Sequence, residues 1–232
     1  MAPPKAVLFD VDGTLVDTVD LHAQAWVETL QHFGVEADLE DIRRQIGKGG
    51  DQLLPGLVSP EVLEAQAEAM QAFRSALFTR EYMPQVRAFP SVRALFKRIH
   101  AAGQTIVLAS SGAAEEVEQH KRIADIADLV DDETTSADAE RSKPFPDIFD
   151  AAFAKLGLTE RSEAMVIGDT PYDVEAARAA GLACIGVLCG GFTEQALRQA
   201  GCVAVYRDPQ HLLDEYENSP LATGLEATGP AA

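Results

Sequence analysis

The sequence is poor in cysteine and has no long apolar run. Its three cysteines, Cys184, Cys189 and Cys202, form neither a C-x-x-C pair nor a cysteine–histidine zinc spacing. This argues against a disulfide scaffold or a zinc centre and favours a reducing, cytoplasmic setting. No stretch approaches the roughly 20 consecutive apolar residues of a membrane span, and the short apolar run near the N-terminus meets Asp10 too soon for a signal-peptide core. We therefore expect no membrane partner.

Positive charge is also scarce. The 232 residues contain 19 Lys and Arg against 37 Asp and Glu, which gives a formal net charge of −18. Such a field repels nucleic acid and anionic lipid, so we expect no nucleic-acid partner. The 47% hydrophobic and 24% charged composition is that of an ordinary folded domain, which excludes disorder as the main state.

Short apolar runs alternate with helical patterns through the second half of the chain. This rhythm predicts a Rossmann-like α/β core, a doubly wound parallel sheet with helices on both faces. A lone strand near the N-terminus completes the sheet, because parallel strands are joined by crossovers that are long enough to hold an insert. The predicted strands are 5–9, 105–109, 128–130, 164–167, 184–188 and 203–206.

The segment after the first strand carries helical patterns instead, at 18–33, 38–50 and 60–80, with Thr18 as a candidate cap. We predict a core of residues 1–16 and 87–216 and an inserted helical cap domain of residues 17–86. Residues 217–232 are predicted to form a flexible tail, since that end is rich in Ala, Gly, Thr and Pro.

Polar side chains follow several of the predicted strands. Asp10 and Asp12 follow the first, Ser110 and Ser111 the second, and Asp169 and Asp173 a later one. In open α/β sheets the reactive site lies outside the carboxyl ends of the strands. Carboxylates gathered there repel one another unless a cation holds them, and hard oxygen ligands suit Mg²⁺. The sequence therefore predicts a divalent metal site.

The same edge offers groups that suit a phosphate. Lys143, on a loop, adds a fixed positive charge, while Ser110 and the main-chain N–H groups of Ser111 and Gly112 are donors for a tetrahedral oxyanion. An Asp nucleophile can form an aspartyl phosphate, and a second carboxylate can protonate the leaving oxygen and later activate water. Asp10 and Asp12 supply such a pair.

Four motifs in chain order resemble the haloacid dehalogenase (HAD) superfamily. The run from Asp10 to Thr18, DVDGTLVDT, is similar to that superfamily's first motif, DxDGT(L/V)xD(S/T). The others are Ser110 at a strand end, Lys143 in KPFPDIF, and the run GDTPYD that holds Asp169 and Asp173. The resemblance covers residues 5 to about 213 and is specific, because all four motifs match.

This resemblance implies the roles of the site residues. Asp10 would be the nucleophile and Asp12 the general acid/base, while Ser110 and Lys143 would bind the phosphoryl oxygens. Mg²⁺ would be held by an Asp10 side-chain oxygen, the Asp12 carbonyl and Asp169, with Asp173 supporting it directly or through a ligand. The insert resembles the helical C1 cap. Asp12 also indicates phosphate-ester chemistry, because family dehalogenases carry Tyr or Phe there and phosphonatases carry Ala.

The insert holds three candidate substrate residues, His22, Lys48 and Gly49. His22 resembles a histidine of the β-phosphoglucomutase-like branch that reaches the active site, and a polar helix-face position is the alternative. Lys48 and Gly49 lie in a glycine-rich stretch that looks like the cap's specificity loop, although a solvated turn remains an equal reading for Lys48. Gly50 stands at or near the place where mutases carry an arginine. The other histidines are interpreted as structural or surface residues: His32, His100, His120 and His211.

We therefore predict a Mg²⁺-dependent HAD-type phosphatase of the phosphoglycolate phosphatase-like and β-phosphoglucomutase-like branch. Its partner would be a small phosphorylated metabolite, a sugar phosphate or a phosphoglycolate-like ester, and the protein would act as a monomer or a dimer. Two alternatives stay open: a phosphosugar mutase, and a non-catalytic metabolite or phosphate sensor.

Overall fold

A six-stranded parallel sheet forms the centre of the protein. The computed structural model describes residues 2–225. Within that range the strands are β1 Ala6–Phe9, β2 Val16–Asp17, β3 Arg87–Ala88, β4 Thr105–Ala109, β5 Asp132–Thr134, β6 Ala164–Gly168, β7 Ala183–Val187 and β8 Ala204–Tyr206. The sheet order is β5-β4-β1-β6-β7-β8, and a separate antiparallel ribbon pairs β2 with β3.

Helices cover both faces of this sheet and build the insert. They are α1 Val19–His32, α2 Leu39–Arg43, α3 Gly50–Leu53, α4 Pro60–Leu77, α5 Val92–Ala101, α6 Ala114–Ile123, α7 Asp147–Lys155, α8 Pro171–Ala179, α9 Glu194–Ala200, α10 Pro209–Asp214 and α11 Pro220–Thr223. Short 3₁₀ turns lie at Leu54–Gly56, Met83–Gln85, Ser136–Asp138, Arg161–Glu163 and Tyr216–Asn218, and one π turn continues α4 at Phe78–Tyr82. The predicted α/β fold class is confirmed.

The burial of β1 on both faces explains why its sequence is an unbroken apolar run. β1 pairs in parallel with β4 on one side and β6 on the other, with Ala6 opposite Thr105 and Ala164. Val7 and Phe9 pack into one core and Ala6 and Leu8 into the opposite one, because a strand turns alternate side chains to opposite faces. Both faces are buried, so no polar residue alternates with the apolar ones.

The insert has a hydrophobic core of its own, built from α1 to α4. It contains Ala23, Trp26, Leu30, Ile42, Leu53 and Met70. The β2–β3 ribbon, in which Val16 pairs with Ala88 and Asp17 with Arg87, brings the two ends of the insert together. The division into a core of 1–16 and 87–216 and a cap of 17–86 stays a prediction.

Two element predictions were wrong. The strand placed at 128–130 lies at Asp132–Thr134 instead, because Asp131 comes first and its carboxylate accepts the Ile106 N–H at 2.8 Å before the pairing starts. The helix placed at 38–50 is α-helical only at Leu39–Arg43, and turns follow it as far as Gly47, whose φ of +105° prevents a continuous helix into α3 at Gly50.

The structure also differs from the predicted tail. Residues 217–225 are folded: Ser219 and Leu221 are fully buried, and Gln104 Nε2 donates to the Leu221 carbonyl at 2.9 Å. Apolar Leu221 therefore fixes a segment whose small residues suggested flexibility. The rest of that prediction, 226–232, lies outside the described residues. No helix among the residues described is both long and apolar enough to cross a membrane.

Candidate active site

A cavity of about 430 Å³ lies where the carboxyl ends of the central strands face the insert. The core contributes Asp10, Asp12, Ser111 and Gly112 to its lining. The insert contributes all three of its predicted residues, together with Arg74. Ser110, Lys143, Asp169 and Asp173 are buried and are not among the lining residues.

Lys143 is the buried cation beneath this cavity. It is 1% exposed, its Nζ donates to Asp10 Oδ1, and it lies 2.7 Å from Asp173 Oδ1. Burial disfavours the charged amine, but the two carboxylates outweigh it and raise the pKa of Lys143 above its ordinary value. Lys143 is therefore a fixed positive charge at neutral pH.

Asp10 directly follows β1 and is 6% exposed. Burial raises the pKa of Asp10 to about 7; Lys143 opposes this shift, while the nearby Asp173 and Asp12 add to it. The Thr14 hydroxyl lies 3.1 Å from Asp10 Oδ2 and 3.0 Å from Asp169 Oδ1. With Lys143 on one oxygen and Thr14 on the other, the Asp10 carboxylate is fixed in orientation.

Asp169 completes a cluster of three buried carboxylates. Asp10, Asp169 and Asp173 offer oxygens that all lie within 4.8 Å of one another. Asp169 is fully buried, its Oδ2 accepts no hydrogen bond, and burial raises its pKa well above the ordinary value. Such an acceptor suits a hard divalent cation, which would offset both the cost of burying a negative charge and the repulsion between the three carboxylates. A Cβ at Gly190 or Gly13 would overlap this oxygen, so glycine is required beside it.

Asp173 serves both the site and its helix. Its Oδ2 accepts from the Thr170 N–H at 3.0 Å and the Thr170 hydroxyl at 2.6 Å, and the two residues form a capping box at the start of α8. Its other oxygen faces Lys143. The helix begins at Pro171, so Asp173 stands inside its first turn.

Asp12 is held by groups from the insert and from α6. Its Oδ1 accepts from Thr18 Oγ1 at 2.8 Å and lies 2.9 Å from His22 Nε2 and 3.7 Å from His120 Nδ1. Burial opposes ionisation, but His120, His22 and Thr18 outweigh it and hold the pKa of Asp12 below its usual range. Thr18 occupies the N-cap position of α1 without a capping bond from its side chain.

A charged network that was not predicted from the sequence lies beside Asp12. Arg74 from α4 contacts His22 Nδ1 at 2.6 Å and Glu116 Oε2 at 3.3 Å. Glu116 and His120 both lie on α6, four residues apart and therefore on one face of it. The four-residue spacing of Glu116 and His120, on the helix after Ser110, is the sequence feature that could have predicted this network. The interpretation of His120 as merely structural or surface overlooked its place beside Asp12.

The groups predicted to donate hydrogen bonds to a phosphate differ in whether they already have a hydrogen-bond partner. Ser110 Oγ accepts the Gly112 N–H at 3.0 Å, so that N–H is already engaged. Ser111 Oγ is buried without a hydrogen-bond partner and lines the cavity. Their roles toward a phosphoryl group stay predictions.

In the insert loop, Lys48 and Gly49 line the cavity in different ways. Lys48 Nζ donates to Gln45 Oε1 at 2.9 Å and lies 4.7 Å from the centre of the Tyr172 ring. A Cβ at Gly49 would overlap Ser142, so the loop approaches the core closely because it has glycine there. Direct contact of either residue with a substrate stays a prediction.

Several known proteins with similar sequences or structures are named as phosphatases or hydrolases. The chain is 34% identical over 201 residues to SUPPRESSOR OF QUENCHING 1 of Arabidopsis thaliana, covering 85% of this chain but only 19% of that protein. It is 31% identical over 219 residues to a phosphoglycolate phosphatase of Rhodospirillum rubrum, covering 88% of each. A solved hydrolase from Pseudomonas syringae superposes with a TM-score of 0.83 at 29% identity, covering 92% of this chain and 98% of the other.

The agreement extends to the family level. The sequence model described as haloacid dehalogenase-like hydrolase matches residues 4–181, which hold Asp10, Ser110, Lys143, Asp169 and Asp173. The family resemblance of the four motifs is thereby confirmed, and this chain belongs to the haloacid dehalogenase-like hydrolase family.

Proposed function

We propose that this enzyme hydrolyses a small phosphomonoester, with Asp10 as the nucleophile and Asp12 as the general acid/base. The observation that carries the proposal is the position of Asp10: its carboxylate lines the cavity while Lys143 and Thr14 fix its two oxygens. A nucleophile held in orientation needs little reorganisation before attack. The Rhodospirillum relative is named a phosphatase, which supports phosphate esters as the substrate class.

Mg²⁺ is the proposed cofactor. Asp10, Asp169 and the Asp12 carbonyl would hold it, with Asp173 as a supporting group that also anchors Lys143. The unpartnered Asp169 Oδ2 supports this assignment, because a buried oxygen of that kind needs a cation or a donor. When bound, the ion would neutralise charge on the transferring phosphoryl group.

The protein's own residues account for both halves of the reaction. An Asp10 oxygen forms a bond to phosphorus as the bond to the leaving alcohol breaks, and Asp12 gives its proton to the alcohol oxygen. Asp12 then removes a proton from water, whose oxygen attacks phosphorus, releases phosphate and restores Asp10. Lys143 stays charged throughout and stabilises the negative phosphoryl oxygens.

Asp12 must carry a proton for the first half, although its pKa is low in the free protein. An arriving phosphate dianion raises the pKa of a neighbouring carboxyl by charge repulsion, so substrate binding promotes the proton uptake that the step needs. The contacts from Thr18 and His22 hold the Asp12 oxygen in place for both transfers.

The test is phosphate release from sugar phosphates, phosphoglycolate, glycerol phosphate and nucleotides, each with Mg²⁺ and with EDTA. We expect turnover of at least one ester with Mg²⁺, its loss in EDTA, and a fall of about 10³-fold or more in Asp10→Asn. Near-parent activity of Asp10→Asn would overturn the nucleophile assignment. With a phosphosugar, an isomerised sugar phosphate without free phosphate would identify a mutase instead.

We also propose that the enzyme meets this metabolite in the cytoplasm. The support is that its three cysteines are unpaired, as is typical of a reducing compartment.

A further inference from the structure

The part of the cavity beyond Asp10 and Asp12 has more carboxylates than cations. Lys48 and Arg74 are the lysine and arginine residues among its described lining, and Arg74 is paired with a carboxylate of the protein. Lys48 is bound to Gln45 and lies over Tyr172. Three further carboxylates line the same space, those of Asp51, Glu116 and Glu140.

The positive charge of Arg74 is already paired with a carboxylate of the protein. One guanidinium nitrogen lies 3.3 Å from Glu116 Oε2 and another 2.6 Å from His22 Nδ1. A carboxylate on a bound molecule would have to compete with Glu116 for this cation. Since Glu116 is 6% exposed, losing its partner would leave a buried charge uncompensated, which is strongly unfavourable.

Glu116 also has an acceptor to offer. Its Oε1 is buried and accepts no hydrogen bond, and it lies 3.7 Å from His22 Nε2. Ser111 Oγ, which also lines the cavity, is buried without a partner as well. Buried groups of this kind are normally satisfied, and a hydroxyl donor from a bound molecule satisfies an unpaired carboxylate oxygen without adding charge. A second carboxylate would be repelled by it.

We infer that the leaving group of the substrate is a hydroxylated alcohol without a carboxylate, whose hydroxyl donates to Glu116 Oε1. This inference rests on the proposed phosphatase function and narrows its substrate class to polyol or sugar phosphates. The inferred substrate therefore differs from phosphoglycolate, the substrate in the name of the Rhodospirillum relative.

A matched pair of small esters tests the inference without requiring turnover. 2-Hydroxyethyl phosphate and 2-phosphoglycolate differ only in a terminal CH₂OH or carboxylate, and calorimetry on Asp10→Asn with Mg²⁺ gives the Kd of each. We expect the hydroxyl ester to bind about tenfold or more tightly, since the carboxylate of phosphoglycolate would be repelled by Glu116. Equal binding, tighter binding of phosphoglycolate, or binding of neither ester would overturn the inference.

Glu116→Gln tests the residue itself. The amide removes the repulsion and frees Arg74, so the ratio of kcat/KM for phosphoglycolate over hydroxyethyl phosphate should rise about tenfold. Glu118→Gln, the same charge change on the same helix, should leave that ratio unchanged because Glu118 pairs with Lys121 and Arg122. An unchanged ratio in Glu116→Gln would contradict the assignment. If the Asp10→Asn preference holds but the parent enzyme releases no phosphate, the proposed function fails and the binding inference stands.

Discussion

Asp10 and Asp12 are identical residues two positions apart, yet their environments shift their pKa values in opposite directions. Burial beside other carboxylates raises the pKa of Asp10 to about 7, while His22, His120 and Thr18 overcome burial and lower that of Asp12. A divalent ion would favour the ionised form of Asp10, which the nucleophile requires.

The buried carboxylate of Asp169 should lower the unfolding free energy of the protein in EDTA while allowing it to bind a cation. We expect Asp169→Asn to be at least as stable as the parent in EDTA, because the change removes charge from a fully buried site. The parent should gain about 2.7 kcal/mol of unfolding free energy at a Mg²⁺ concentration 100 times its Kd, and the variant should gain almost none. Urea unfolding with and without Mg²⁺ measures both.

Asp150→Asn is the control for this comparison. Asp150 pairs with Arg161 at a half-exposed position, so its Mg²⁺ response should equal that of the parent. Full Mg²⁺ stabilisation in Asp169→Asn would move the metal site elsewhere.

The cysteines should be slow to react in the folded protein. Burial raises the pKa of Cys184, Cys189 and Cys202, so few thiolates exist at pH 8. Because the folded values exceed the unfolded ones, stability should fall as the pH rises above about 8.5. Ellman's reagent should label all three thiols quickly in guanidinium and none quickly before unfolding; fast native labelling would contradict this reading.

At the scale of elements, the start of α8 links helix capping to the site. Thr170→Ala removes the capping box and should lower the unfolding free energy by about 1–2 kcal/mol. It should also reduce turnover, because Asp173 loses the hydroxyl that orients it toward Lys143. Denaturant unfolding and phosphate release are the two measurements.

Thr193→Ala removes another threonine cap, at the exposed start of α9. It should weaken stability by about 1 kcal/mol without changing kcat. Equal kcat in both variants would show that the α8 cap does not position the site.

The strands that carry the site were predictable because a buried parallel strand is a short apolar run with polar residues at its end. Thr105–Ala109 lies where the sequence placed it. Hence Asp10, Ser110 and Asp169 were found at strand ends. The Arg74–Glu116 contact was not, since it joins residues 42 apart and depends on how the insert packs over α6. The pattern at 38–50 misled because Ile42 and Ile46 are both buried although a turn separates them.

For the molecule as a whole, the C-terminal segment contributes to the core. Leu221 is fully buried and Leu39 is 41% exposed. Leu221→Ala should therefore cost about 2–5 kcal/mol of unfolding free energy, whereas Leu39→Ala should stay within about 0.5 kcal/mol. Urea unfolding compares the two, and a Leu221→Ala variant as stable as the Leu39→Ala variant would show that this segment does not support the fold.

The position of β1 in the middle of the sheet has a consequence for synthesis on the ribosome. The strand is made before both of its neighbours, which are residues 105–109 and 164–168. At roughly 5–20 residues per second, β1 waits roughly 10–30 s for its second neighbour. During that interval an apolar strand with at least one open edge is exposed to pairing with other chains. Nascent chains of this protein should therefore depend on chaperones most strongly before residue 168 emerges.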